Sequence, residues 1–452
     1  MAIIRGDVPQ PVPPEQGTHT VVVKLARPTT EATTPGLEAT PASRLAQLRP
    51  DLAARSYFSE PVTEATPLTE SAAARDEFAE FVAVDVGSHE AGEQLAQSLR
   101  QLDDVATAYV EAGPTPPPAG PVGSNPGAGN QGYLNAAPGG IDARWAWANA
   151  AGTPVGFVDV EQGWTLNHED LAAAGITLIS GLNRAYFGHG TAVLGEVAAV
   201  DNALGVVGIA FGSRTRVVSQ YRPDGSYRTA DAIRTAANAM APGDVMLIEA
   251  QVPYPPPSGA LHPVEVEEAT FIAIRNAVDR GIVVVEAGGN GSVDLDKFAD
   301  AKGRATLNRN SPDFRDSGAI MVGAGSSWVP HSRLGFSNFG TRIDCYAWGE
   351  NIETCGDGWT GNAVNTYTSF FGGTSGASPI VTGAALLLQA WAAGRGARYT
   401  PAKLRRLLSD PQLNTASATP ADRIGAMPNL RAIIKNELAH QSPAVAGTPA
   451  VA

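Results

Sequence analysis

Four kinds of side chain that can act together in acid–base chemistry occur in order along this 452-residue chain. The acids Asp159 and Glu161 lie in the largely apolar stretch FVDVEQGW, His189 lies in YFGHGTAVLGEVAAV, Asn290 ends GIVVVEAGGN, and Ser375 lies in FGGTSGASPIVTGAALLLQAW. A carboxylate that orients a histidine, which in turn deprotonates a serine, is the arrangement of a nucleophilic hydrolase, and an amide can stabilise the resulting oxyanion. We therefore expect these side chains to meet in the folded chain.

The histidine and the serine both lie where a helix is predicted to begin. The positive end of a helix disfavours the imidazolium, which keeps His189 available as a base. Ser375 opens a long apolar helical pattern in which Pro379 suits the first turn, so its backbone N–H can point toward a developing oxyanion. Each residue also has an ordinary structural alternative: a capping or core histidine, an N-cap serine, and, for Asn290, a turn residue beside glycine.

The elements that must position these residues alternate between short apolar strands and helical patterns. TPVGFVDV, DVMLIEAQV, GIVVVEAG and AIMVGAGS are typical of strands, and TADAIRTAANAMA and VEVEEATFIAIRNAVDRG of helices. Strands that are apolar along nearly their whole length, separated by helices, predict an α/β fold with a mostly parallel sheet and helices on both faces. Chemistry in such sheets gathers at the carboxyl ends of the strands, where FVDVEQGW is expected to lie.

The N-terminal part has its own pattern and is separated from the rest by a stretch rich in proline and glycine. Residues 113–130 read GPTPPPAGPVGSNPGAGN, which predicts a linker without a packed element. The catalytic domain is expected over 131–440, and residues 441–452 are expected to form a disordered tail.

Residues 1–112 mix strands and helices. Strands are predicted at 18–26, 80–87 and 105–111, with one helix after a Ser88 cap and another in PASRLAQLRPDLAARS. This pattern predicts a small α+β domain of the ferredoxin-like type.

The charge balance limits the possible partners. The net charge is −13, from 32 basic and 45 acidic residues. Nucleic-acid and anionic membrane surfaces need clustered Lys and Arg, so we expect neither partner. No run approaches the roughly 18 apolar residues of a membrane span, and the N-terminal MAIIRGDVPQPVPPEQG lacks the apolar core of a secretory signal. We expect a cytoplasmic location, with secretion by another route left open.

The two cysteines are Cys345 and Cys355, in IDCYAWGENIETC. They are close enough along the chain to close a small disulfide loop. In a reducing compartment, free thiols are the favoured interpretation.

Three motifs in this order resemble those of the subtilisin-like serine peptidases, the subtilases. GHGTAVLGEVAA is similar to the histidine motif of the family, GGTSGASPIVTGAA to its serine motif, and VVVEAGGN to the strand that carries its oxyanion asparagine. The similarity covers roughly residues 131–400. It implies a subtilisin-like fold and a catalytic set of His189, Ser375, Asn290 and an acid.

Two residues, Asp159 and Glu161, are candidates for the acid of this catalytic set. The family's acid motif is followed by His-Pro-Asp-Leu, which NHEDL at 167–171 resembles. Counting back without a gap puts Glu161 on the family's aspartate, whereas Asp159 requires a two-residue insertion. We therefore favour Glu161, and Asp159 remains the alternative. Because the two are two residues apart on a strand, both should face the same side.

The resemblance also implies where a peptide would bind. The two segments that accept the substrate as an added strand correspond to Glu249, Ala250 and Gln251 and to Ala287, Gly288 and Gly289. An acid beside the first pocket, such as Glu249 or Glu286, could favour a basic substrate residue. The family often binds calcium, and Asn202 in AAVDNALGV resembles one such loop, but no metal site can be assigned and no cofactor is expected beyond a possible structural calcium.

Taken together, the resemblance implies a serine endopeptidase that acts on protein or peptide substrates. It also implies that the N-terminal domain is a propeptide-like partner in cis, since DDVATAYVE resembles the end of a subtilase propeptide. The alternative is a catalytically impaired relative that binds a partner, because the acid motif is altered and Gly376 replaces the family's methionine.

Overall fold

The computed structural model describes residues 19–26, 40–56, 81–110, 126–150, 154–221, 223, 229–254, 260–300 and 303–441. The chain forms two compact units, with the boundary between Pro116 and Pro117. This boundary lies within the predicted linker 113–130, most of which is outside the described residues. The predicted tail is also outside them, apart from Gln441, which ends the last helix.

The described residues of the N-terminal unit form a four-stranded antiparallel sheet with two helices. The elements are β1 (His19–Leu25), α1 (Pro41–Leu48), β2 (Ala54–Ser56), β3 (Phe81–Val86), α2 (His89–Leu99) and β4 (Val105–Val110). The strand order is β2-β3-β1-β4, and the elements described follow one another as β-α-β-β-α-β. Ser88 caps α2 by accepting a hydrogen bond from the N–H of Ala91 at 3.1 Å, as the sequence predicted.

Two N-terminal expectations are wrong in part. The helix predicted in PASRLAQLRPDLAARS ends at Leu48, and its last residues form β2 instead. Pro50 explains the stop, because a proline disfavours the helical conformation of the residue before it. The predicted linker is packed at its C-terminal end, where Pro126–Gly129 forms a 3₁₀ turn and the N–H of Gly127 donates to the carbonyl of Gly205. Glycine permits this close backbone approach.

The second unit alternates strands and helices, as the sequence predicted. Its helices are α3 (Ala143–Ala150), α4 (Phe187–Ala198), α5 (Thr229–Asn238), α6 (Glu268–Asp279), α7 (Thr374–Ala393), α8 (Pro401–Ser409) and α9 (Leu430–Gln441). Its strands are β5 (Gly156–Glu161), β6 (Thr177–Ser180), β7 (Arg214–Ser219), β8 (Val245–Ile248), β9 (Gln251–Tyr254), β10 (Ala260–Pro263), β11 (Val283–Ala287), β12 (Ile320–Gly325), β13 (Cys345–Trp348), β14 (Ile352–Cys355), β15 (Tyr367–Phe371), β16 (Thr415–Ala416) and β17 (Ala426–Met427).

Nine of these strands form the central sheet, in the order β16-β17-β13-β12-β11-β8-β5-β7-β6. Every pair of neighbours is parallel except β16 and β17. Strands β9 and β10 form an antiparallel hairpin beside it, and so do β14 and β15. The mostly parallel sheet agrees with the predicted fold class.

Helices cover both faces of the sheet, and alternate residues of each strand join different cores. Phe157 of β5 and Leu247 of β8 pack with residues of α3, α4 and α7. Val158 of β5 and Met246 of β8 pack with residues of α5 and α6. Successive side chains of a strand point to opposite faces, so burial on both faces produces the continuous apolar runs seen in the sequence.

Helix α7 is the central helix of the first of these cores. By length and composition it could cross a membrane, but 89% of its most apolar window is buried inside the unit, which is the behaviour of a core helix. Pro379 is its sixth residue rather than a residue of its first turn, which corrects the sequence-based placement. A proline here removes the hydrogen bond that the carbonyl of Ser375 would otherwise accept.

Both cysteines are buried as free thiols. Cys345 begins β13, where its Sγ lies 3.4 Å from the carbonyl oxygen of Leu408. Cys355 ends β14. The favoured alternative of the sequence analysis, two free thiols, is the one found.

Candidate active site

Strand alternation decides which way the two acids point. Phe157 faces the core that contains α4 and α7, so Asp159 and Glu161, at two and four residues further, face the same helices. Both side chains are almost fully buried. The sheet therefore directs both carboxylates toward the helix that carries His189.

Glu161 contacts the imidazole of His189 directly. Its Oε1 and Oε2 lie 2.9 and 3.0 Å from Nδ1 of the ring. With the hydrogen on Nδ1, the ring donates to the carboxylate and keeps Nε2 free as an acceptor. The strand end that carries this acid and the helix start that carries the histidine thus meet as the sequence predicted.

Asp159 has a different partner. Its Oδ2 accepts a hydrogen bond from the indole N–H of Trp164 at 2.7 Å, and its Oδ1 has no hydrogen-bond partner among the described residues. Burial raises the pKa of Asp159 well above the usual value, and the charge of Glu161 raises it further. Of the two acids, Glu161 is the one in contact with the histidine.

The histidine is held in place through its backbone. The N–H of His189 is shared between the carbonyl oxygens of Tyr186, at 3.0 Å, and Trp359, at 2.9 Å. The ring of Phe371 packs edge-on against the imidazole at 5.4 Å. Burial lowers the pKa of His189, so the neutral ring is favoured.

Ser375 is the second residue of α7. Backbone N–H groups in the first turn of a helix have no partner within the helix, so its N–H is free to meet a ligand. The preceding turn requires Gly373, whose φ of 83° lies in the left-handed region that other residues rarely adopt. Ser375 lines the same cleft as His189 and Glu161.

Asn290 lies beside this helix start, and its amide is already engaged. Its Oδ1 accepts from the N–H of Thr374 at 2.9 Å, which fixes the loop after β11 against α7. Its Nδ2 donates to Oε1 of Gln251 at 3.2 Å, and its backbone N–H donates to the same oxygen at 2.9 Å. The amide hydrogens thus point toward the cleft side of the loop, where Gln251 lies.

Glu249 reaches the site from the end of β8. Its side chain is only 6% exposed, and Oε1 contacts the hydroxyl of Ser378. That hydroxyl also lies 2.6 Å from the carbonyl oxygen of Thr374, and its single hydrogen can be donated to only one of the two acceptors at a time. Burial raises the pKa of Glu249 well above its usual value, which agrees with a protonated carboxyl.

A neutral, buried Glu249 is poorly placed to attract a cation. This geometry disfavours the interpretation that it selects a basic substrate residue. Glu286 is excluded from that role as well, because it is fully buried on the opposite face of the sheet, where its Oε1 accepts from the N–H of Glu265 at 3.0 Å. Its position follows from alternation, since its neighbours Val283 and Val285 face α7.

Four of the six predicted substrate-binding residues line the cleft, namely Glu249, Ala250, Gln251 and Ala287. Gly288 and Gly289 are instead tied to the body of the unit. The carbonyl of Gly288 accepts from Nδ2 of Asn338 at 2.8 Å, and that of Gly289 accepts from the N–H of Asn338 at 3.1 Å.

Asn338 is a residue that sequence reasoning missed. It is fully buried, and its Nδ2 also donates to Leu261 of β10 at 2.9 Å, so it joins the β9–β10 hairpin to the loop after β11. Tyr186, Trp359 and Leu261 line the cleft and were also missed. Tyr186 lies only three residues before His189, and this proximity could have placed it at the site. Trp359 lies on a distant loop, and no local pattern indicates its position.

Nothing in the described part of the chain groups three or more His, Cys, Asp or Glu side chains as a metal site would require. Oδ1 of Asn202 accepts from the N–H of Leu204 at 2.9 Å within its own turn. The described residues around Asn202 therefore do not identify a set of calcium ligands.

Comparison with known proteins gives a consistent result for the second unit. A family model described as the subtilase family matches residues 181–426, more than half of the chain. His189, Asn290 and Ser375 lie inside this range, and Glu161 lies before it.

Among curated proteins, subtilisin DY of Bacillus licheniformis is 31% identical over 241 residues, which cover 53% of this chain and 77% of that protein. Subtilisin BL of Lederbergia lenta is 29% identical over 209 residues, 45% of this chain, and the match spans 63% of that protein's length. A solved structure described as proteases from Pseudoalteromonas arctica has 21% identity and a TM-score of 0.52, and the alignment covers 69% of this chain and 98% of that one. Its fold is similar. From the family match and the identity to subtilisin DY, this chain belongs to the subtilase family.

Proposed function

We propose that the chain is a serine endopeptidase that hydrolyses peptide bonds through an acyl-enzyme on Ser375. The observation that carries the proposal is the contact of both carboxylate oxygens of Glu161 with Nδ1 of His189, in a cleft that Ser375 also lines. Such a carboxylate–imidazole pair would serve as the acid–base half of a catalytic triad, with the serine at the start of α7 as its nucleophile.

The chemistry would follow from these positions. Nε2 of His189 takes the proton of Ser375 as Oγ attacks the substrate carbonyl, and the imidazolium is stabilised by Glu161. His189 returns the proton to the leaving amine, which breaks the peptide bond and leaves an ester on Ser375. Water, deprotonated by the same ring, then hydrolyses the ester.

The oxyanion would be bound by two donors. One is the backbone N–H of Ser375 at the start of α7, and the other is Nδ2 of Asn290. Nδ2 donates one of its two hydrogens to Gln251, and the other would be donated to the oxyanion. Each such donor contributes about 3 kcal/mol of transition-state stabilisation in enzymes of this type.

The N-terminal unit would serve as a partner in cis. The β-α-β-β-α-β order of its described elements and its place before a Pro- and Gly-rich stretch support a propeptide-like role. Cleavage within residues 112–130 would separate the two units. Intact-mass measurement of the purified chain over time, beside the Ser375→Ala variant, tests this step: loss of the N-terminal unit only when Ser375 is present is the expected result.

A second candidate is a binding protein that has kept the fold without the activity. Gln251 favours it, because it takes up one of the two hydrogens of the asparagine amide that catalysis would use. Labelling with a fluorophosphonate probe discriminates between the two. We expect labelling of the wild-type chain that is lost in Ser375→Ala and strongly reduced in Glu161→Ala. An unlabelled wild-type chain, even after removal of the N-terminal unit, would contradict the peptidase and support the binder.

A further inference from the structure

Two exposed aromatic side chains form one wall of the cleft above His189. Trp359 is 60% exposed and Tyr186 is 38% exposed, and their rings pack edge to face with centroids 5.1 Å apart. Both line the cleft together with Ser375 and Glu161. We call this pair of rings the aromatic wall.

The aromatic wall is fixed relative to the catalytic histidine. The backbone carbonyls of both aromatic residues accept the same N–H, that of His189, at 3.0 and 2.9 Å. Tyr186 has a φ of 52°, a left-handed conformation that is strained for a bulky residue. Strain of this kind persists where the surrounding structure enforces it, and it concentrates at functional sites.

The loop that carries Trp359 is held at the start of α4 by its own hydrogen bonds and by close packing. The carboxylate of Asp357 accepts from the N–H of Trp359 at 2.8 Å and from that of Gly361 at 2.9 Å. The loop lies against Gly188, where a Cβ would overlap with Oδ1 of Asp357. Glycine before His189 therefore lets the loop approach the start of α4 and hold the indole over the cleft.

The chemistry of the surrounding cleft favours an apolar occupant for this wall. Of the acids that line the cleft, Glu161 is engaged with His189, and Glu249 is buried against Ser378, so neither presents a free carboxylate to the cleft. Exposed aromatic rings bordering a cleft gain from covering apolar surface, and Trp and Tyr provide large contact areas with little loss of side-chain freedom.

Building on the peptidase function proposed above, we propose that Tyr186 and Trp359 form a subsite for an aromatic or large aliphatic side chain of a substrate residue that flanks the scissile bond. The wall stands on the His189 side of Ser375. The side chain would pack on the exposed indole face and be desolvated by it, so the chain would discriminate against small and acidic residues at that position.

Retention of a random peptide library by the Ser375→Ala chain tests the subsite without requiring turnover. We expect retained peptides to be enriched about tenfold in Phe, Tyr, Trp, Leu or Met over Gly and Asp at one position. Adding Trp359→Ala should reduce the enrichment below about twofold, and Trp359→Glu should shift it toward Lys and Arg. The control is Trp328→Ala, which removes an indole that is 74% exposed and outside the cleft lining; it should leave the enrichment unchanged.

Cleavage of the same library by the chain with Ser375 intact separates the two hypotheses. Cleavage with no aromatic or aliphatic preference, or retention that Trp359→Ala leaves intact, overturns the subsite while the peptidase stands. Selective retention without any Ser375-dependent cleavage overturns the peptidase and leaves the subsite. Circular dichroism of each variant shows whether a lost enrichment reflects lost folding.

Discussion

The side chain of Glu161 approaches His189 from the last position of β5, a strand hydrogen-bonded on both sides. The strand fixes the backbone, so the distance to the imidazole depends on side-chain length. A glutamate is longer than an aspartate by one C–C bond, about 1.5 Å. An aspartate at the same position would therefore fall short of the 2.9 Å contact unless the backbone moved.

We expect Glu161→Ala to lower kcat by about 10⁴-fold, which is the size of the effect known for the triad acid of subtilisin. Glu161→Asp should lie between this variant and the wild type. The matched control is Asp159→Asn, which keeps an acceptor for Trp164 and should retain kcat within about threefold. Steady-state kinetics on a fluorogenic peptide measure all three. Near-full turnover in Glu161→Ala together with its loss in Asp159→Asn would assign the role to Asp159 instead.

The acid limb of the pH profile should follow His189. Burial lowers the pKa of this histidine, and its neutral form is the base in the proposed mechanism. A lowered pKa keeps the ring neutral to lower pH, so kcat/KM should fall only below the ordinary histidine value of about 6.5. A profile of kcat/KM between about pH 4 and 9 measures this limb, with circular dichroism at each pH to exclude unfolding. A half-maximal point at or above about 6.5 would show that the neighbouring carboxylates outweigh burial.

At the scale of single elements, the start of α7 depends on the turn before it. Gly373 has a φ of 83°, and Thr374, the next residue, is bonded to Asn290. A distortion of this turn would displace Ser375, which follows Thr374, and Asn290, which is hydrogen-bonded to Thr374. It would therefore move both proposed oxyanion donors.

Gly373→Ala should therefore reduce both stability and activity. Forcing a residue with a Cβ into this conformation costs about 1–3 kcal/mol, and displacement of Ser375 should lower kcat at least tenfold. Gly394→Ala is the matched control, because Gly394 ends the same helix with a φ of −60° and is exposed. Urea unfolding and peptide kinetics give the two readouts. Equal behaviour of the two variants would mean that the turn has no special role.

Much of the element structure follows from the local sequence, but the contacts between elements do not. The strands around Asp159, Glu249 and Glu286 were predictable from their apolar runs. Alternation along β11 also indicates that Glu286 faces away from the site. By contrast, Trp359 lies close to His189 because the loop between β14 and β15 packs against the start of α4. No short-range sequence pattern predicts this contact.

The protonation state of Glu249 also depends on contacts between elements, which the local sequence does not show. The residue type suggested an anionic pocket, whereas burial raises the pKa of Glu249 and favours its neutral form. The burial of a side chain is set by neighbours from distant segments, here by α7, so residue type alone could not decide whether Glu249 carries a charge.

At the scale of the whole catalytic unit, one buried ion network joins several elements. The guanidinium of Arg342, fully buried, donates to Oε1 of Glu265 at 2.6 Å and to Oδ2 of Asp344 at 3.0 Å. Asp344 also accepts from Arg405 of α8 at 2.8 Å. The network therefore ties the segment before α6, the loop before β13 and helix α8 together.

Arg342→Met should destabilise the catalytic unit by about 3–5 kcal/mol, because it leaves buried carboxylates without their partner. The control is Arg234→Ala, which breaks an exposed pair with Asp231 and should change stability by less than about 1 kcal/mol. Thermal and urea unfolding measure both. A stability of Arg342→Met equal to that of the wild type would show that the network contributes nothing net.

The burial of Cys345 and Cys355 has a consequence for the surroundings the protein can tolerate. Burial raises the pKa of both thiols well above the usual value, and a thiol, unlike a thiolate, reacts slowly with oxidants and with other disulfides. Moving the folded chain between reducing and oxidising media should therefore leave its covalent structure the same. Exposure to peroxide, or transfer of the folded chain to an oxidising compartment, should therefore leave both thiols unmodified.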